Sequence, residues 1–216
     1  MLATGVVTIK ILPLPYIKNL PLFIFLLATN ICIGQKKIIF RGGTPVKTEL
    51  GEGVLKRLQL NFDYSIILSF SSSWDTNPNY YILAKKDDSL TAWRYNKTNP
   101  SRLRKDTKTD TTLHQLKFER VKLDGLLGII FKNDLANVSD EAKDTYGCPI
   151  GGTKVMIYDG GSVNFIIITK QEYREISFYA PEFFEEKCPG SVERQAIIAC
   201  EQAFMNVFEK MDGVLN

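Results

Sequence analysis

The chain has 216 residues, 44% of them hydrophobic, and carries 27 basic against 24 acidic side chains. That length suits one domain with a sizeable core, or two small ones. The near balance of charge argues against a nucleic-acid partner, which needs surplus Lys and Arg to neutralise phosphates.

Lys10 and Lys18 precede an apolar run at residues 20–33 (LPLFIFLLATNICI), which ends at Gly34-Gln35. A basic start, an apolar centre and a small residue at the boundary make a secretory signal. The run is shorter than the ~20 residues needed to span a bilayer, and Pro21 interrupts it. The expectation is a signal at residues 1–34, cleaved after Gly34, and a single domain at residues 35–216 with no transmembrane span. The alternatives are an uncleaved anchor and a lipid-bearing Cys32. Thr29-Asn30-Ile31 is a poor match for the small residues that a lipid-attachment site wants.

Residues 36–41 (KKIIFR) fit a short strand, and residues 42–45 (GGTP) a loop. Leu50, Val54, Leu55 and Leu58 recur at helical spacing, with Gly51 and Gly53 weakening the start. Leu60, Phe62, Tyr64, Ile66, Leu68 and Phe70 then alternate with mostly polar partners, the period of a half-buried strand. After a turn-rich loop carrying Trp74, residues 80–86 (YYILAKK) and 90–95 (LTAWRY) form a hairpin about Asp87-Asp88-Ser89. Tyr81, Leu83 and Lys85 share one face of it; Tyr80, Ile82 and Ala84 share the other. Residues 96–110 are almost without apolar side chains and read as an exposed loop. The run at residues 126–131 (LLGIIF) fits helix or strand equally.

Residues 154–158 (KVMIY), 163–169 (VNFIIIT) and 173–179 (YREISFY) read as a three-strand meander, its first turn signalled by Asp159-Gly160-Gly161. Ser191 then suits a helix N-cap, with Glu193 in the first turn. Ile197, Cys200, Phe204, Val207, Phe208 and Met211 form one apolar stripe, with Arg194 and Glu201 on the polar side. The expected fold class is therefore α+β: an antiparallel sheet built from two hairpin or meander units, with a C-terminal amphipathic helix packed on it.

Beyond the signal, three of the four cysteines remain: Cys148, Cys188 and Cys200. An oxidising compartment favours one bridge and one leftover thiol. Cys200 sits on the apolar side of the helix, ~13 Å from its start, which disfavours pairing with Cys188. Cys148 and Cys188 bracket the meander and are the candidate disulfide, provided residues 181–187 fold back.

No catalytic constellation is evident. Residues 147–154 (GCPIGGTK) suggest a phosphate loop, but Thr153 precedes Lys154 and a strand follows, where the motif needs a helix. His114 is the one histidine and stands without a companion motif, so it reads as a surface or partly packed residue. A histidine-rich zinc site is impossible, and Asp140, Glu141 and Asp144 lack the glycine and closing Glu of a calcium loop. No cofactor is implied. Glu182, Glu185 and Glu186 flank Phe183-Phe184, and paired carboxylates can hydrolyse glycosides; solvated faces explain them equally. Trp74, Tyr80, Tyr81, Trp93 and Tyr95 cluster about the first hairpin. Core packing is the default for them, and an exposed platform for a glycan or peptide is the alternative.

Residues 79–95 (NYYILAKKDDSLTAWRY) and 165–189 (FIIITKQEYREISFYAPEFFEEKCP) resemble uncharacterised secreted proteins of Bacteroidetes bacteria. Those carry a signal ending near Gly-Gln, a Tyr-Tyr-Ile-Leu hairpin and a late Tyr-x-Pro-Glu segment closing on Cys-Pro. Here that segment is Tyr179-Ala180-Pro181-Glu182 through Cys188-Pro189. The resemblance covers about a quarter of the chain. It implies export to the periplasm or surface of a Gram-negative cell, and no activity. The functional expectation is an exported, non-enzymatic binding or interaction protein whose partner is a protein or a glycan. An envelope immunity or inhibitor protein, and a hydrolase using clustered carboxylates, are the alternatives.

Overall fold

The computed structural model describes residues 38, 40, 50–72, 79–96, 113–139 and 157–212, without the side chains of 210–212. The chain divides into two units, Met1–Lys37 and Ile38–Asn216. Everything described belongs to the second. The expected signal, the strand at 36–41 (apart from the lone positions 38 and 40), the loop at 97–110, Trp74, Cys148 and the 147–154 segment lie outside the described residues.

Six antiparallel strands form one sheet: β1 (Tyr64–Ser71), β2 (Asn79–Lys86), β3 (Ser89–Asn96), β4 (Leu113–Leu116), β5 (Ser162–Thr169) and β6 (Tyr173–Tyr179). Their order across the sheet is β4-β3-β2-β1-β5-β6. Among the described residues four α-helices accompany them: α1 (Glu52–Asn61), α2 (Arg120–Lys132), α3 (Pro181–Lys187) and α4 (Val192–Asp212). The fold is α+β, with the C-terminal helix α4 on the sheet.

Both faces of the sheet are covered. On one, Ile66, Leu68, Phe165 and Ile167 pack under Leu126 and Ile130 of α2 and Ile197, Phe204 and Phe208 of α4. On the other, Ile67, Ile82 and Ile166 pack under Leu50 and under Leu58 of α1. β1 is central, with Ile67 level with Ile82 on one neighbour and Ile166 on the other. Such a strand is apolar on both faces, so period-two alternation fades. That corrects the half-buried strand expected from Leu60 to Phe70. The helix runs to Asn61, Leu60 on it is 72% exposed, and β1 begins at Tyr64. Asp63 fixes the join. Its carboxylate accepts the Asp87 amide at 2.7 Å and the Lys170 ammonium at 2.7 Å, pinning the two hairpin turns side by side.

The expected meander is corrected as well. β5 pairs with β1 on one edge and β6 on the other, in place of a hairpin with the residues just before it. Ile157 and Tyr158, the described end of that run, are outside the strands, and Tyr158 is 79% exposed. Asp159 is left-handed, with φ 68°. The Tyr179 hydroxyl accepts the Gly160 amide at 2.9 Å and donates to the Ile157 carbonyl at 3.2 Å. A Cβ on Gly160 would lie 2.9 Å from that ring, so the close approach requires glycine. Asp-Gly-Gly is thus a bend across the end of β6.

The ambiguous run at 126–131 is helical, within α2. Ser191 caps α4 as expected, its hydroxyl accepting the Arg194 amide at 3.2 Å. The polar side of α4 is not all solvated, however. Arg194 is 8% exposed, donating to Glu185 at 3.3 Å and to the Cys188 carbonyl at 2.8 Å. The cause is α3, which occupies residues 181–187 and lies along this side of α4. Pro181 starts it, where its missing amide costs nothing.

Candidate binding cleft

α2 sends Leu123, Leu126 and Ile130 into the core. The turn of helix on its other side holds Gly125 and Gly128, where an added Cβ would meet nothing within 4 Å. Facing it, α4 presents Ala203, Asn206 and Val207. Gly125 on α2 and Ala203 on α4 leave a cleft of about 560 Å³ between the two helices. Phe118, Leu126, Ile129 and Val207 give it an apolar floor, and Lys117, Glu119, Lys122 and Asn206 line its mouth. Phe118 is held from behind by Phe208, ring centroids 5.3 Å apart. A concave, mostly apolar site with few polar groups, of this volume, is the usual form of a small-molecule or side-chain pocket. Ile129, on the open side of the cleft, is 39% exposed, and Val121 on the same helix is 72% exposed.

The acidic residues gather elsewhere. Glu119 is the one carboxylate at the cleft among the described residues, and Lys122 pairs with it at 3.5 Å. Glycoside hydrolysis needs two carboxyls flanking one bond. Glu185 serves α3 and α4 instead, accepting from the Gly190 amide and Gln195 at 2.7 Å each and from Arg194. Burial pushes its pKa up, but these donors outweigh that and hold it below the usual carboxylate range. Glu186 is paired with Lys187 at 2.6 Å.

Glu201 differs. Burial, with Glu182 facing it from α3, pushes its pKa up to about 7. Its Oε2 is buried with no hydrogen-bond partner among the described residues. Glu182 itself accepts from Gln202 at 3.4 Å. This pair sits at the α3–α4 contact, and neither residue lines the cleft. Among the described residues no three His, Cys, Asp or Glu side chains gather as a metal site. His114 is exposed on β4, level with Arg94.

The candidate aromatics are divided by the sheet. Tyr80 and Tyr95 are buried on the α1 face, 5.5 Å apart between ring centroids. Trp93 packs on that face edge-on to Phe62 at 6.2 Å, its indole N–H donating to Thr91 at 3.0 Å. Tyr81 is buried on the opposite face, against Phe208 at 5.3 Å. Alternate residues of a strand point to opposite faces, so Tyr80 and Tyr81 cannot share a surface. The three tyrosines are buried in the core, and Trp93 is partly buried against it.

Cys200 is a free thiol, fully buried, and burial pushes its pKa up to about 12. Among the described residues no disulfide joins two cysteines, and Cys188 has no free thiol.

The cleft residues Lys117, Phe118, Gly125, Ala203, Asn206 and Val207 are not among the candidates drawn from the sequence. Gly125 and Gly128 within one apolar helical run were the available signal, because glycine inside a helix costs stability and asks for a reason. Comparison with known proteins returns no matching family model and no matching curated protein.

Proposed function

We propose that the chain is an exported, non-enzymatic binding protein that holds an apolar group of a cell-envelope partner in the cleft between α2 and α4. The observation that carries this is the cleft itself: about 560 Å³, apolar at its floor, with a single carboxylate among the described residues at its mouth, already paired. Its apolar lining favours an apolar group over a bare sugar, whose hydroxyls would go unpaired there. Export is supported by the basic-then-apolar run ending at Gly34-Gln35, close to the unit boundary at Lys37, and by the bonded state of Cys188. Cys148 is the proposed partner of Cys188. No described helix is long and apolar enough to cross a membrane.

Two measurements test this reading. Mass spectrometry of the protein from its host should find the N-terminus at Gln35; an intact Met1 or a lipid on Cys32 contradicts the signal. Calorimetric titration with envelope fractions should find one that binds the natural protein and fails to bind Gly125→Trp, which fills the cleft. Undiminished binding to a folded Gly125→Trp protein places the site elsewhere.

A further inference from the structure

We infer that the cleft takes a single-chain amphiphile with an anionic head, its tail on the apolar floor and its head at Lys117. This rests on the binding reading above and names its ligand. Three separate features of the α2 end of the cleft converge on it.

The first is the floor. Phe118, Leu126, Ile129 and Val207 offer hydrocarbon, and the added space at Gly125 keeps the channel between the helices open. A tail gains by leaving water there, in proportion to the apolar area it buries. The second is the balance of charge. Among the described residues, Lys117, Glu119, Arg120, Lys122 and Asp124 are the charged side chains along this end of α2. Glu119 pairs with Lys122 at 3.5 Å, and Asp124 with Arg120 at 3.4 Å. Lys117 is left as the exposed cation at the mouth, with no ion-pair partner among the described residues. The third is the start of α2. Its N-cap residue, Glu119, makes no side-chain cap hydrogen bond and no acid lies in its first turn, so its first amides have no side-chain acceptor on the helix. An anionic head beside Lys117 answers both. A neutral head would answer neither.

The ligand is a monomer, not a membrane surface, because the apolar residues face each other across a cleft. The test is titration of the full-length protein with octanoate, decanoate and dodecanoate below their micelle concentrations, with 1-decanol as the neutral comparison. Affinity should rise about four-fold per added methylene until the floor is filled. Lys117→Gln should weaken decanoate by up to about five-fold at low salt and leave decanol unchanged. Gly125→Leu should abolish both, with its thermal melt no lower than that of the natural protein. Binding independent of chain length overturns the inference, as does binding that survives Gly125→Leu. Binding to anionic vesicles without binding to the monomeric acids also overturns it. If an envelope fraction binds and is blocked by Gly125→Trp while no fatty acid binds, the binding role stands and this ligand class falls.

Discussion

Phe204 stacks on Phe208 with ring centroids 5.7 Å apart and planes 9° from parallel, and it meets Phe165 edge-to-face at 5.7 Å. One side chain thus joins α4 to its own next turn and to the centre of the sheet. Both rings are fully buried. Phe204→Ala is expected to cost about 3–5 kcal/mol through lost burial and the cavity left behind. That is a large part of the ~5–15 kcal/mol stability of a domain. Urea melts measure it, and a loss below about 1 kcal/mol would mean that α4 is peripheral to the core.

Glu201 gives stability a dependence on pH. Its folded pKa, about 7, lies above the ordinary value of 4.5, so between those limits the folded state holds more protons than the unfolded chain. Stability from this group is full below pH 4.5 and is lost as pH rises through 7. Solvent reaches part of the side chain, which reduces the effect to on the order of 1 kcal/mol. Glu201→Gln should therefore stabilise the protein at pH 8 and change little at pH 4.5. Melts showing the same difference at both pH values would contradict this.

Gly125 and Gly128 are interior to α2 and exposed, and neither Cβ would meet an obstacle. Gly→Ala at either position should stabilise by about 0.5–1 kcal/mol, the usual helix-interior difference. Because Gly125 lines the cleft, its substitution should also weaken ligand binding, and Gly128→Ala should not. Stability that rises together with affinity at position 125 would contradict the cleft.

Much of this architecture was legible in the residues. The β2–β3 and β5–β6 hairpins have alternating faces and polar turns, and α4 has its Ser191 cap and its Ile197, Cys200, Phe204 and Phe208 stripe. These signals are local. The pairing of β1 with β5 joins residues about a hundred positions apart and leaves no local trace, so residues 154–158 seemed the natural neighbour of β5. α3 was hidden because seven residues show too little periodicity, and its acids resembled a solvated loop. The same helix turned Arg194 and Glu201 from surface residues into contact residues. The cleft was least legible of all. It forms where Gly125 and Ala203 line one gap between α2 and α4, and each alone reads as an ordinary small residue.

The cysteines should behave differently. Cys200, buried and held protonated by its surroundings, should resist alkylation until the protein unfolds. Cys188 should react only after reduction, and peptide mapping of the unreduced protein should recover it joined to Cys148. Ready labelling of Cys188 in the native, unreduced protein would contradict the bridge and weaken the case for export.

Hydrogen exchange followed by mass spectrometry tests the binding role most directly. The full-length protein is compared with and without the envelope fraction that binds it. Protection should rise at residues 118–129 of the α2 segment and 203–207 of α4, the two walls of the cleft, and stay unchanged along β2 and β3. Protection confined to the strands, or to the α1 face, would contradict the cleft as the site.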